Sequence, residues 1–170
     1  FKNSEPALTV AAADRFIQMH PTHPNVDYAF YLKGLALFEP PDSLFDSLSG
    51  YNPANNDIGP VREAFVAYQE LISRFPDSRY APDTRRRLIY IINVLATHEV
   101  EVARYYYAMG ADVAAANRAR SVLETYRTSS AVEDALGIMI KAYARMGLEE
   151  LHSDALRVLE LNYPDSPYLN

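Results

Sequence analysis

The chain has 170 residues, of which 49% are hydrophobic and 22% charged, a balance that suits one packed core and argues against intrinsic disorder. A net charge of −6 gives no whole-chain reason to bind nucleic acid. The absence of cysteine excludes disulfides, thiolate catalysis and Cys-based zinc sites, and no run approaches the ~18 apolar residues that span a bilayer as a helix.

In chain order, the first predicted helix covers 5–20. It closes on His20-Pro21, and the chain before it starts at Phe1 with no Met and no signal-peptide pattern, so the sequence reads as a piece of a longer protein. On this reading the first helix has lost its partner, and repeats are missing ahead of it. A second helix is expected over 26–38. Residues 39–60 then concentrate Pro, Gly, Asn, Asp and Ser and read as a long loop. Its Phe45, Leu48 and Tyr51 would either clamp the loop onto a neighbouring groove or meet a partner.

A third helix over 60–75 ends in Phe75, Pro76, Asp77, Ser78 and Tyr80. That string returns 88 residues later as Tyr163, Pro164, Asp165, Ser166 and Tyr168. Weaker copies occupy 19–28 and 125–130. A recurring joint marks an internal repeat, and repeats favour binding over catalysis. Aligning on the joint places Thr9, Ala13 and Phe16 in register with Ala64, Tyr68 and Leu71. Ala115, Ala119 and Val122, and His152, Leu156 and Leu159, take the same places. Steps of four and three put each set on one helix stripe. A small residue, a larger one four on and a following Pro match the second helix of a tetratricopeptide repeat. Pro ends the helix, and Asp77 or Ser78 can cap the next one.

The fourth helix should be long, over 80–109, with Leu88, Ile92, Leu95, Glu99, Val102, Tyr106 and Met109 down one face and Gly110 ending it. Glu99 is the single polar interruption of that face. Arg85, Arg86 and Arg87 crowd its N-terminal end, where the helix dipole disfavours cations, and Asp83 is the nearby compensating acid. Helices over 111–126, 131–146 and 149–162 complete the chain. The fold class is therefore all-α, a right-handed tetratricopeptide solenoid of antiparallel helix hairpins over 1–170. Its repeat remnants lie near 1–20, 26–76, 80–127 and 131–164.

Chemistry is sparse. His20 and His23 flank a Pro without a carboxylate at ligand spacing and read as loop caps. Asn52, Asn55, Asn56 and Asp57 lack the acidic end of a calcium loop. His98 and Glu101 share a helix face and could form an acid–base pair, yet no nucleophile motif or phosphate-cradling loop accompanies them. His98, Glu99 and Glu101 therefore read better as a solvated helix face. No catalytic residue, metal or cofactor is called. Residues 79–127 hold eight Arg against five acids, which leaves the middle of an acidic chain basic and fit for an acidic partner. Arg118 and Arg120 follow the long helix as protein-contact candidates, and Tyr105, Tyr106 and Tyr107 include at least one exposed tyrosine suited to an interface.

The stretches His20–Tyr28 with Tyr31–Leu35, Val102–Tyr107, and Gly110–Arg118 resemble the BamD family, tetratricopeptide lipoproteins of the outer-membrane β-barrel assembly machinery. The order of joint, long loop, Arg62–Phe65, long helix and Asn117-Arg118 agrees, and the likeness covers essentially the whole chain. It implies a non-enzymatic adaptor on the periplasmic face of the outer membrane, held by an N-terminal lipid absent from this sequence. Implied partners are the POTRA region of BamA, other lipoproteins of the complex and unfolded barrel substrates, with no nucleic acid. The Arg of the Asn-Arg pair carries over onto Arg118, with Asn117, Arg120 and Tyr106 as further contact candidates. Asp112 departs from the family's Trp, and Arg127 from the joint's Pro. Two other readings are an adaptor for a different periplasmic envelope pathway and a small enzyme using the His98/Glu101 face.

Overall fold

A computed structural model describes residues 6–38 and 57–169. The described residues form seven α-helices: α1 Pro6–Met19, α2 Val26–Leu37, α3 Gly59–Arg74, α4 Ala81–Ala108, α5 Asp112–Thr125, α6 Val132–Met146 and α7 Glu149–Asn162. A short 3-10 turn at Pro167–Leu169 follows. Each helix lies within a few residues of its expected range. Most of the 39–60 loop, with Phe45, Leu48 and Tyr51, falls outside the described residues.

Consecutive helices pack on one another: α1 on α2 and α2 on α3, then α5 on α6 and α6 on α7. The chain is all-α and of the helical-repeat, tetratricopeptide type. It divides into two compact units that part within α4, between Ile91 and Ile92.

The joints explain why the helices stop where they do. Phe75, Tyr126 and Tyr163 each donate a last helical N–H to Leu71, Val122 and Leu159, and each offers its own carbonyl to the N–H of Ser78, Ser129 and Ser166. His20 and His23 repeat the pattern, with His20 N–H on Phe16 and His23 N–H on His20. The serine hydroxyls then accept from the backbone N–H two residues on, at Tyr80 (3.2 Å), Ala131 (3.1 Å) and Tyr168 (3.4 Å). His23 does the same through Nδ1 for Asn25, at 3.1 Å. Asn25, Tyr80 and Ala131 each stand one residue ahead of α2, α4 and α6, so these contacts close turns within the joints. Of the two capping candidates in the joint at 76–78, Ser78 meets the first amide of α4, that of Ala81, through its backbone carbonyl, while its hydroxyl takes the Tyr80 N–H just ahead of the helix.

The helices between joints end differently. Gly110 (φ +77°) and Gly147 (φ +70°) close α4 and α6 in left-handed conformations. Ala111 N–H reaches Tyr106 O and Gly110 N–H reaches Tyr107 O, and Leu148 and Gly147 repeat this on Tyr143 and Ala144. This is the Schellman arrangement, which needs a residue that tolerates positive φ.

In the first unit, Ala64, Tyr68 and Leu71 are fully buried, as their stripe requires. Each large side chain so buried contributes about 1.5–3 kcal/mol. Val26, Phe30, Leu71 and Ala81 form a core flanked by Phe16, Ile17, Tyr31 and Phe75. Tyr68 lies so close to α2 that a Cβ on Gly34 would clash with the edge of its ring. At the start of α4, Asp83 takes Arg87 Nε at 2.6 Å, Arg86 Nη2 at 3.2 Å and the Tyr31 hydroxyl at 2.8 Å. The expected compensation of the arginine run is present. Burial works to raise the Asp83 pKa, but these hydrogen bonds outweigh it and hold the carboxyl below its ordinary value.

In the second unit, Ala115, Ala119 and Val122 are fully buried, and Leu159 likewise, whereas His152 and Leu156 are half-buried. Gly137 repeats the role of Gly34, with the Tyr168 ring against it. The face of α4 differs from its expected stripe. The buried positions include Ile91, Val94, Leu95, Ala96, Val100 and Ala103, while Met109 is 68% exposed. Leu88, Ile92, Val102 and Tyr106 are half-buried. The buried face is rotated from the expected stripe, keeping Leu95 and Glu99 and adding Ile91, Val94, Ala96, Val100 and Ala103.

Two measurements follow from these contacts. Gly34→Ala should lower stability by about 1–3 kcal/mol by overpacking Tyr68, despite the ~1 kcal/mol that alanine adds to helix propensity. A thermal melt checks the sign. Because the folded pKa of Asp83 is depressed, its contribution is present above about pH 4, the unfolded value, and is lost as pH falls through the lower folded value. Asp83→Asn should therefore lower stability at neutral pH and flatten the loss below pH 4 in an acid titration of the melting temperature.

Candidate functional site

The α5 helix has two faces. Ala115, Ala116, Ala119 and Val122 turn inward and are buried. Ala114, Asn117, Arg118 and Ser121 recur at steps of three and four on another face. With Tyr106 of α4 they line an open groove of about 450 Å³. Around the Gly110 corner, Tyr105 (63%), Met109 (68%) and Val113 (64%) are large apolar side chains left exposed. The second unit thus exposes apolar side chains at the Gly110 corner and a cation and an amide in the groove.

Arg118 is anchored. Its Nη1 donates to Glu99 Oε2 at 3.0 Å, across from α5 to α4. The pair is asymmetric, since the Glu99 side chain is 6% exposed and that of Arg118 49%. The reading of Glu99 as part of a solvated face is corrected here. Glu99 sits inside the apolar stripe of α4, and a carboxylate there needs charge and hydrogen bonds to offset its lost hydration. Its neighbours on the sequence differ from it: His98 and Glu101 are half-buried, and Glu101 faces Arg104 at 3.4 Å.

Of the contact candidates, Arg118, Asn117 and Tyr106 come together in one groove. Arg120 is not among them. Two residues on from Arg118, it turns away and donates to the Tyr143 hydroxyl of α6 at 2.8 Å. Phe45, Leu48 and Tyr51 cannot be placed relative to the groove. Asp112 takes part in a different arrangement at the corner. Arg145 of α6 donates from Nε to both Asp112 oxygens at 2.7 and 2.8 Å and from Nη2 to Tyr107 O at 2.7 Å. Its guanidinium lies 3.9 Å from the Tyr107 ring centroid. An ion pair and a cation–π contact thus hold this corner.

Other candidate chemistry is accounted for by packing. His20 and His23 stand against Phe16, with ring centroids 5.3 and 5.2 Å away. Among the described residues, no group of three or more His, Asp or Glu is arranged to hold a metal. A second, apolar groove of about 870 Å³ lies in the first unit between α1 and α2, lined by residues that include Leu8, Ala12, Phe16, Tyr28 and Leu32. No helix among the described residues is long and apolar enough to cross a membrane.

The family described as YfiO, outer membrane lipoprotein, matches residues 1–159. The chain belongs to this family. Membership in the YfiO family places the protein at the outer membrane. Among curated relatives, the outer membrane protein assembly factor BamD of Neisseria meningitidis serogroup A is 42% identical over 99% of this chain and 63% of its own length. The proteins of the same name from Pasteurella multocida and Xylella fastidiosa are 35% and 33% identical. They match over 95% and 99% of this chain and 62% and 58% of their own. The chain thus spans roughly three-fifths of the length of these relatives.

The sequence signalled Arg118 through its basic surroundings and its Asn-Arg pair. It signalled Glu99 only as an acid interrupting an apolar stripe, and that interruption was the available clue.

Proposed function

We propose that the chain is a non-enzymatic scaffold in the assembly of outer-membrane β-barrel proteins, and that the groove face of α5 docks the POTRA region of BamA. The observation that carries this is Arg118, a half-exposed guanidinium held on a buried carboxylate at the rim of a groove with Tyr106 and Asn117. Exposed Tyr105, Met109 and Val113 around the Gly110 corner offer apolar area from which interfaces draw affinity, and the cation offers orientation. The matched relatives are named assembly factors, which favours this reading over an adaptor in another envelope pathway or a small enzyme.

The same reading has the protein face the periplasm from a lipid anchor and work beside the other lipoproteins of the complex. It also has the protein help deliver unfolded barrel substrates. The apolar groove between α1 and α2 supports that last role, since an apolar peptide segment would bury its side chains there.

Calorimetric titration with the purified POTRA region tests the docking face. A charge-assisted hydrogen bond to a partner carboxylate is worth about 1–3 kcal/mol, so Arg118→Ala should weaken binding by that amount and Arg118→Glu by more. Affinity equal to the parent's in both variants, with the helices still folded by circular dichroism, would remove Arg118 and this face from the contact.

A further inference from the structure

Resting on the docking reading, we infer that Glu99 is a positioning residue for the partner contact, acting through Arg118. An arginine on a surface helix ordinarily samples many rotamers, and a partner that binds it must immobilise it. Arg118 begins differently. One end of its guanidinium is fixed at 3.0 Å on Glu99 Oε2, and Glu99 is itself fixed, because its side chain is sunk to 6% exposure in α4. The remaining half of the Arg118 side chain stays open to solvent beside Tyr106 and Asn117.

A guanidinium carries five N–H donors in a rigid plane, so pinning Nη1 sets the direction in which the others point. The partner that fits is a carboxylate approaching the groove in the plane of that fork. The ordering cost is met within the free protein, and the contact forms without it.

The charge of Glu99 opposes such a partner at long range, so positioning and steering act in opposite senses. That opposition makes the inference separable by kinetics. Glu99→Gln keeps the size and a hydrogen-bond acceptor but loses the strong charge-assisted bond. Dissociation of the POTRA region should then quicken by about 2- to 12-fold, the equivalent of the ~0.5–1.5 kcal/mol needed to immobilise one long side chain. Association should be no slower, because removing a negative charge leaves the surface more positive.

Surface plasmon resonance on the parent, Glu99→Gln, Arg118→Ala and the double variant completes a cycle, with melting temperatures recorded for each. The inference expects Glu99→Gln to act in the parent and to have no further effect in the Arg118→Ala background. Glu99→Asp, which keeps the charge, should recover part of the loss. Equal dissociation rates for the parent and Glu99→Gln, with Arg118→Ala still weak, would overturn the positioning role and leave the docking face standing. So would equal weakening in both backgrounds, which marks a fold effect alone. If Arg118→Ala itself binds like the parent, the docking reading fails first and the inference with it.

Discussion

The architecture depends on one short turn. A helix that ends must satisfy its last carbonyls, and the helix that follows must satisfy its first amides, within about three residues. The joints meet both demands at once. The carbonyl of the residue after the helix accepts from the N–H three residues on, at Phe75/Ser78, Tyr126/Ser129 and Tyr163/Ser166. The serine carbonyl then takes the first amide of the next helix, at Ala81 in α4 and Val132 in α6, while the hydroxyl takes the amide just ahead of it. Because the turn recurs, α3 and α5 before it present the same stripe inward, and Ala64, Tyr68 and Leu71 find their counterparts in Ala115, Ala119 and Val122. Glycine turns at Gly110 and Gly147 complete the alternation.

The proposed docking face is a product of that regularity and of one exception to it. With Ala115, Ala116, Ala119 and Val122 committed inward, helix periodicity leaves Ala114, Asn117, Arg118 and Ser121 on an outer face. An arginine there would ordinarily contribute little, since exposed ion pairs are worth about 0–1 kcal/mol. Glu99 changes its value. Placing an acid inside the α4 stripe gives the surface cation a partner that cannot wander, at the cost of a carboxylate kept from water. A neutral residue at 99 would leave Arg118 without this charged partner.

Most of the fold was legible in the sequence, and for an identifiable reason. The joint residues act locally, through their own backbone and side-chain hydrogen bonds, so Pro76-Asp77-Ser78 announces its turn without reference to anything distant. The ends of α1, α3, α5 and α7 could be read to within a few residues on that basis, and those of α4 and α6 from Gly110 and Gly147. The face of α4 could not. Which of its residues are buried is decided by how closely neighbouring helices approach, and that selected Ala96, Val100 and Ala103 over Met109. The site was legible in part for the same reason. Arg118 and Asn117 share a face by spacing alone, whereas the tie from Arg118 to Glu99, and the turning of Arg120 onto Tyr143, depend on packing between helices.

The central claim is that the α4–α5 corner is a docking surface built on a pinned arginine. Hydrogen–deuterium exchange of the protein with and without the POTRA region addresses it most directly, because it reports where the partner sits without altering a residue. The account expects new protection over the end of α4 and the first turns of α5, covering 105–121, with the joint at 74–80 unchanged. Protection confined to other segments, with 105–121 exchanging as in the free protein, would contradict it.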